Sequence, residues 1–175
     1  DAYVVAGSTD GKQYSAFDEV TYTPSYTITG LGAGQSLYVQ VVAVTVDPDT
    51  EKLIGSDVSD SLELVTSPDA AAITVNCAER TQNSLTFTWN ACTGATSYVV
   101  YDYSNKQVLT TVPAATTTYT RTGLVPGSSY GIVVEPVRTS ASGFAASTNV
   151  SALYNVYTSK NAPGKPSTSD FTLSI

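Results

Sequence analysis

Apolar and polar side chains alternate at a period of two in Ile73-Thr74-Val75-Asn76-Cys77 and again in Leu85-Thr86-Phe87-Thr88-Trp89. That is the pattern of a β-strand with one face buried and one face wet. The same reading over residues 70–160 predicts strands at 72–77, 84–90, 97–103, 107–112, 116–122, 129–138 and 149–158. Short runs at this spacing, separated by turn signals, predict an all-β antiparallel sandwich. The turns have chemical reasons. Ser104-Asn105 tolerates left-handed backbone, Pro126-Gly127 presets a type II turn, and Asp10-Gly11 marks a hairpin near the N-terminus. Strand parity puts Tyr98 inward with Val100, and Tyr101 and Tyr103 outward with Val99.

The pattern repeats. Tyr3-Val4-Val5 returns as Tyr98-Val99-Val100 at an offset of 95, and Lys12-Gln13 as Lys106-Gln107 at 94. Thr29-Gly30-Leu31, Gly34 and Ser36 return as Thr122-Gly123-Leu124, Gly127 and Ser129 at 93. Val58-Ser59 and Thr66-Ser67 return as Val150-Ser151 and Thr158-Ser159 at 92. Loops of slightly different length between matched strands produce such a drift, so two homologous domains are expected, at 1–69 and 70–160. Ala72 to Thr96 have no counterpart in the first copy, which therefore lacks its first two strands. Asn161-Ala162-Pro163-Gly164-Lys165-Pro166 reads as a stiff linker, and Phe171-Thr172-Leu173-Ser174-Ile175 resembles the strand opening at Ile73. Residues 161–175 are thus expected to be a linker and the first strand of a further repeat, within a longer tandem array.

Trp89 at the end of the second strand, Tyr98-x-Val100 on the third, and Leu124-Val125-Pro126-Gly127-Ser128-Ser129-Tyr130 followed by Val134 resemble a fibronectin type III domain. The resemblance implies an immunoglobulin-like sandwich with the Trp packed between the sheets. It also implies a tyrosine corner, in which Tyr130 bonds through its hydroxyl to nearby backbone. It covers 70–160 completely and 1–69 from the third strand onward. The first copy departs from it: Leu37 takes the corner position, Ala33 replaces the Pro, and Tyr38 is the alternative corner residue. Pro136, opposite Ala43 in the repeat, falls within the sixth strand, where a missing N–H predicts a bulge or an early end to pairing.

Composition narrows the function. Thr, Val and Tyr are abundant, in keeping with strands, and Ser and Thr together number 47. A formal net charge of -7 has the wrong sign for nucleic acid. No apolar run approaches the roughly 18 residues of a membrane helix. Asp1-Ala2-Tyr3-Val4-Val5 lacks the layout of a signal peptide, so a secretory signal would lie outside this stretch. The charge is uneven. Residues 1–69 hold 11 acids and 2 bases, residues 70–175 hold 4 acids and 6 bases, and the resulting -9 and +2 suggest electrostatic contact between unlike domain faces.

Candidate chemistry is sparse. With no His, neither a Ser–His nor a Cys–His pair exists in the chain. Asp18-Glu19 are neighbours on opposite strand faces, not an acid/base pair. If Cys77 sits opposite about Leu85, Cys92 lies seven residues along the second strand, about 23 Å away. Free or buried thiols are then expected rather than a disulfide. Asp47-Pro48-Asp49-Thr50-Glu51 offers either a calcium site or a solvated turn, and Asn149-Val150-Ser151 fits the glycosylation sequon. Tyr98, Tyr101, Tyr103, Tyr119, Tyr130, Tyr154 and Tyr157 form either a sugar-stacking face or ordinary strand packing. No catalytic, cofactor-binding or metal-ligating residue is assigned, and no cofactor is expected.

The expected function is a non-catalytic structural or adhesive spacer of an extracellular or cell-surface repeat protein or fibre. Its expected partners are neighbouring repeats of the same chain and other protein or glycan on a surface, with no nucleic acid. The alternatives are a carbohydrate- or protein-binding module attached to a secreted enzyme or receptor ectodomain, and a strand-donating fibre subunit.

Overall fold

The computed structural model describes residues 2–18, 20–69, 73–148 and 150–164. Asn149 of the sequon, Glu19, Lys165-Pro166 of the linker and the predicted strand at 171–175 lie outside them. Among the described residues every regular element is a strand. Five strands, β1 (Ala2–Ser8), β2 (Ser15–Ala16), β3 (Ser36–Val46), β4 (Leu53–Gly55) and β5 (Leu62–Val65), form an N-terminal antiparallel sheet. Its order is β2-β1-β3-β4, with β5 also paired to β3. Eight more build a C-terminal sandwich: β6 (Val75–Arg80), β7 (Ser84–Trp89), β8 (Ser97–Asp102), β9 (Val108–Pro113), β10 (Thr118–Thr122), β11 (Ser129–Thr139), β12 (Ala145–Ser147) and β13 (Tyr154–Tyr157). One of its sheets runs β10-β7-β6, the other β12-β11-β8-β9 with β13 also on β11.

The sequence repeat becomes a repeat of register. Tyr3 faces Ala43 and Val5 faces Val41 across β1 and β3; at the matching positions Tyr98 faces Pro136 and Val100 faces Val134 across β8 and β11. Leu37 against Leu64 and Val39 against Leu62 match Tyr130 against Val156 and Ile132 against Tyr154. Side chains alternate strictly across a strand, so identical register puts identical repeat positions on the same face.

The sandwich core follows from that alternation. Leu85, Phe87 and Trp89 of β7 point at Tyr98 and Val100 of β8 and at Ile132 and Val134 of β11. All of these are fully buried except Trp89, which is 5% exposed. Each such side chain contributes roughly 1.5–3 kcal/mol through the water it sheds. Trp89 meets Tyr98 edge to face at 5.7 Å and 74°, a favoured aromatic geometry. The Val125 amide donates to the Tyr130 hydroxyl at 2.9 Å, which is the expected corner. Tyr130→Phe removes that acceptor and is expected to cost about 1 kcal/mol, read as an earlier urea midpoint at unchanged slope. The N-terminal sheet has no such corner. Leu37 is buried in its place, and the Tyr38 hydroxyl reaches Glu63 Oε1 at 3.4 Å.

An ion pair ties the two sandwich layers together. Arg121 of β10 reaches Asp102 of β8 at 2.7 Å, and the Ser104 hydroxyl and amide donate to the same carboxylate at 2.6 and 2.8 Å. Burial on its own would raise the Asp102 pKa, but the Ser104 bonds and Arg121 outweigh it and hold the group below its ordinary value. A depressed carboxylate stabilises the fold above its unfolded pKa, near 3.9, and loses that contribution as pH falls through the folded value. Asp102→Asn is therefore expected to destabilise the sandwich by about 2 kcal/mol at pH 7. The difference from the parent should vanish in acid titrations monitored by Trp89 fluorescence.

Three strand expectations are corrected. Pro136 causes no bulge against β8: the register is unbroken from Ile132 through Val137. Its nitrogen points to the other edge of β11, as the Val134 amide two residues earlier shows by donating to Ser151 Oγ at 3.0 Å. On that edge β13 stops at Ile132 and β12 begins at Val137, so no ladder bond is lost. The Ala43 amide at the equivalent place donates to Ser56 Oγ, so this gap exists without a proline. Cys77 lies opposite Phe87 rather than Leu85, because β6 runs on to Arg80 and the hairpin closes in a tighter turn, the Thr81 amide donating to the Ser84 carbonyl, with a one-residue bulge between Cys77 and Glu79. The run 149–158 is strand only over β13, and β12 supplies the rest of that edge.

Candidate functional site

The residues singled out for chemistry are placed separately. Asp47 Oδ1 accepts the amides of Asp49 at 2.8 Å and Thr50 at 3.3 Å. Those bonds lower its pKa, the Asp49 amide foremost. The carboxylate caps the β3–β4 turn, and the turn reading accounts for its geometry. Cys77 and Cys92 are free thiols. Burial raises both pKa values, so both stay protonated and weakly nucleophilic. Asp18 accepts the Tyr26 hydroxyl, while its sequence neighbour Glu19 lies outside the described residues. Of the seven tyrosines, Tyr103 and Tyr157 are exposed; Tyr98, Tyr119, Tyr130 and Tyr154 pack on the core, and Tyr101 donates to Glu135 Oε2 at 2.6 Å. Strand packing explains most of them.

Two further places carry more structure. One is the junction between sheet and sandwich. Gly34, in the turn before β3, and Gly94, in the loop between β7 and β8, meet backbone to backbone with φ of 63° and 85°. A Cβ on Gly34 would overlap Gly94 Cα, and one on Gly94 would lie 2.7 Å from Gly34 Cα. Only glycine combines positive φ at little cost with so close an approach. Hydrogen bonds ring the contact. Arg138 Nη2 donates to Ser36 Oγ at 3.2 Å, the Ser142 amide to Glu63 Oε2 at 3.1 Å, and Ser67 Oγ to the Ser147 carbonyl at 2.8 Å. The Asp69 amide donates to the Thr93 carbonyl at 2.9 Å, and Cys92 Sγ to the Asp69 carbonyl at 3.0 Å. The Ser142 bond, first among its causes, lowers the Glu63 pKa. The expected electrostatic contact takes another form here: Arg138 meets a hydroxyl and Glu63 meets backbone, so neither depends on an opposite charge.

The second place is the inner face of the N-terminal sheet. Tyr3, Val5, Val39, Val41, Leu62 and Leu64 line an apolar groove of about 310 Å³, rimmed by the segment from Thr21 to Ile28. The matching positions in the sandwich are sealed by β7.

The sequence profile of the Fibronectin type III domain matches residues 69–152. A two fibronectin type III domain segment from chicken tenascin is 20% identical, covers 90% of this chain and 85% of its own, and superposes with a TM-score of 0.52. The chicken CNTN1 FN1–FN3 domains are 15% identical over 91% of this chain and 56% of theirs, with a TM-score of 0.46. No curated protein matches the chain.

Proposed function

We propose, from the premise that residues 69–152 form a fibronectin type III domain, that this chain is a non-catalytic spacer. It belongs to a tandem β-sandwich array that holds other domains apart on a cell surface or in an extracellular fibre. Domains of this family commonly serve as structural or binding modules.

The observation that carries the spacer reading is the junction. A spacer needs a fixed angle between successive units, because a freely jointed chain gains reach only as the square root of its length. Here the connection is fastened at both ends. The Gly34 amide donates to the Ser67 carbonyl at 2.9 Å, and Thr66 Oγ1 donates to the Gly32 carbonyl at 2.6 Å. Pro68 is buried, and the Asp69 amide is held by Thr93 on the sandwich side. Small-angle X-ray scattering of the 175-residue chain tests the reading. One extended particle is expected, with the same maximum dimension at low and high salt. A profile of two independently moving bodies would leave the spacer without its physical basis, and a binding module would become the better reading.

A further inference from the structure

Strand alternation sends Tyr98, Val100, Ile132 and Val134 into the core and turns Tyr101, Val133 and Glu135 onto the outer face of the sheet β12-β11-β8-β9. Hydrophobic side chains gather on that face. Val108 stands opposite Tyr101, and Tyr157 opposite Ser129. Leu153 and Tyr103 close over Gly131, where an added Cβ would lie 2.8 Å from Leu153 Cδ1 and 3.4 Å from Tyr103 Cβ. With Val150 they make five large apolar side chains on one face, each between 43% and 61% exposed. Apolar surface gathered in this way marks a contact with another macromolecule.

Among these side chains lies a cavity of about 210 Å³, lined by Tyr101, Lys106, Val133, Glu135 and Val150. Its walls are fastened. Ser151 Oγ accepts the Val134 amide at 3.0 Å and the Ser151 amide donates to the Val134 carbonyl at 2.8 Å, which fixes Val150 beside β11. The Tyr101 hydroxyl donates to Glu135 Oε2 at 2.6 Å, and Lys106 Nζ sits 4.2 Å from the centroid of the Tyr103 ring. A carboxylate and an ammonium thus line one cavity, each steadied by a tyrosine, and among the described residues no ion pair joins them. The strands do not require Tyr101 or Glu135, since the N-terminal sheet carries Ala6 and Val42 at the same register positions.

The kind of partner follows from symmetry. A two-fold axis in the plane of the contact, midway between Lys106 and Glu135, exchanges their positions. Two identical faces then bring each ammonium to the other copy's carboxylate, with the apolar cavity walls between the two charge pairs. We infer that this outer face is a self-complementary docking surface for a second copy of this chain, with Lys106 of each copy facing Glu135 of the other and Val133 and Val150 at the contact. The inference does not depend on the spacer reading.

Sedimentation equilibrium of the 175-residue chain from about 10 μM to 1 mM tests it, and the parent is expected to pass from monomer to dimer over that range. Glu135→Lys and Lys106→Glu each set like charges against one another twice per dimer, and each should weaken pairing by about tenfold or more. Mixed in equal amounts, the two variants should pair again, because every contact then holds one charge of each sign. Restored pairing also shows that both variants fold. Val150→Asp, at a half-exposed position, should cause the same loss without touching either charge. A parent still monomeric at about 1 mM would overturn the inference, as would growth beyond a dimer, because a two-fold contact closes on itself. Pairing that neither charge swap nor Val150→Asp weakens would place the contact elsewhere. Swapped variants that stay apart on mixing would also overturn it, since the two charges would then not face each other.

Discussion

Replacing Phe87 by Ala is expected to lower the unfolding free energy of the C-terminal sandwich by about 4 kcal/mol. Phe87 is fully buried in the middle of β7 and meets Tyr154 edge-on at 6.4 Å and 87°. It lies in the core cluster between Leu85 and Trp89. The cost has two parts. The ring's transfer from water is lost, and the hole remains because both sheets are held by ladders that do not collapse inward. Domains of this size have roughly 5–15 kcal/mol in all, so the variant should sit near its unfolding threshold at 37 °C. The chain's one Trp lies two residues away, so its fluorescence through a urea titration reads this core directly. A loss below about 1.5 kcal/mol would mean that the core repacks, and that the alternation of β7 matters less than its burial implies.

Gly94→Ala should act on a different property. The new Cβ would lie 2.7 Å from Gly34 Cα and 2.8 Å from Gly34 N, and both are main-chain atoms that cannot swing aside. The junction must part, taking with it the Arg138–Ser36 and Ser142–Glu63 bonds. The two halves should then tumble separately, so that ¹⁵N relaxation gives each a shorter correlation time than in the parent. Left-handed backbone also costs a non-glycine residue about 1–2 kcal/mol, which alone would destabilise the sandwich. Gly123→Ala separates the two effects. Its φ is 71° but no atom lies within 4 Å of the added Cβ, so it should lose similar stability while the halves keep tumbling together. If Gly94→Ala left tumbling unchanged, the glycine contact would not be what holds the junction.

Local pattern made the sandwich legible before its coordinates. Period-two alternation located β7 and β8 to within about a residue, because a half-buried strand encodes its faces in its own residues. The drifting repeat encoded more than it showed, since matched positions in sequence became matched partners in register. Tyr130 and Trp89 took the places implied by the family resemblance. What escaped was non-local. Gly34 reads as an ordinary turn glycine in the repeat with Gly127, and nothing in either loop announces that it meets Gly94. The bulge after Cys77 and the outward nitrogen of Pro136 depend on which strand edge faces which neighbour, and composition cannot supply that.

Residual dipolar couplings of backbone amides in a weakly aligned sample of the 175-residue chain test the central claim most directly. A junction closed by Gly34 and Gly94 makes sheet and sandwich one rigid body, so couplings from 2–69 and 73–164 should fit a single alignment tensor of one magnitude and one orientation. Two tensors of different magnitude would show the halves reorienting independently, and a fixed-angle spacer would be contradicted.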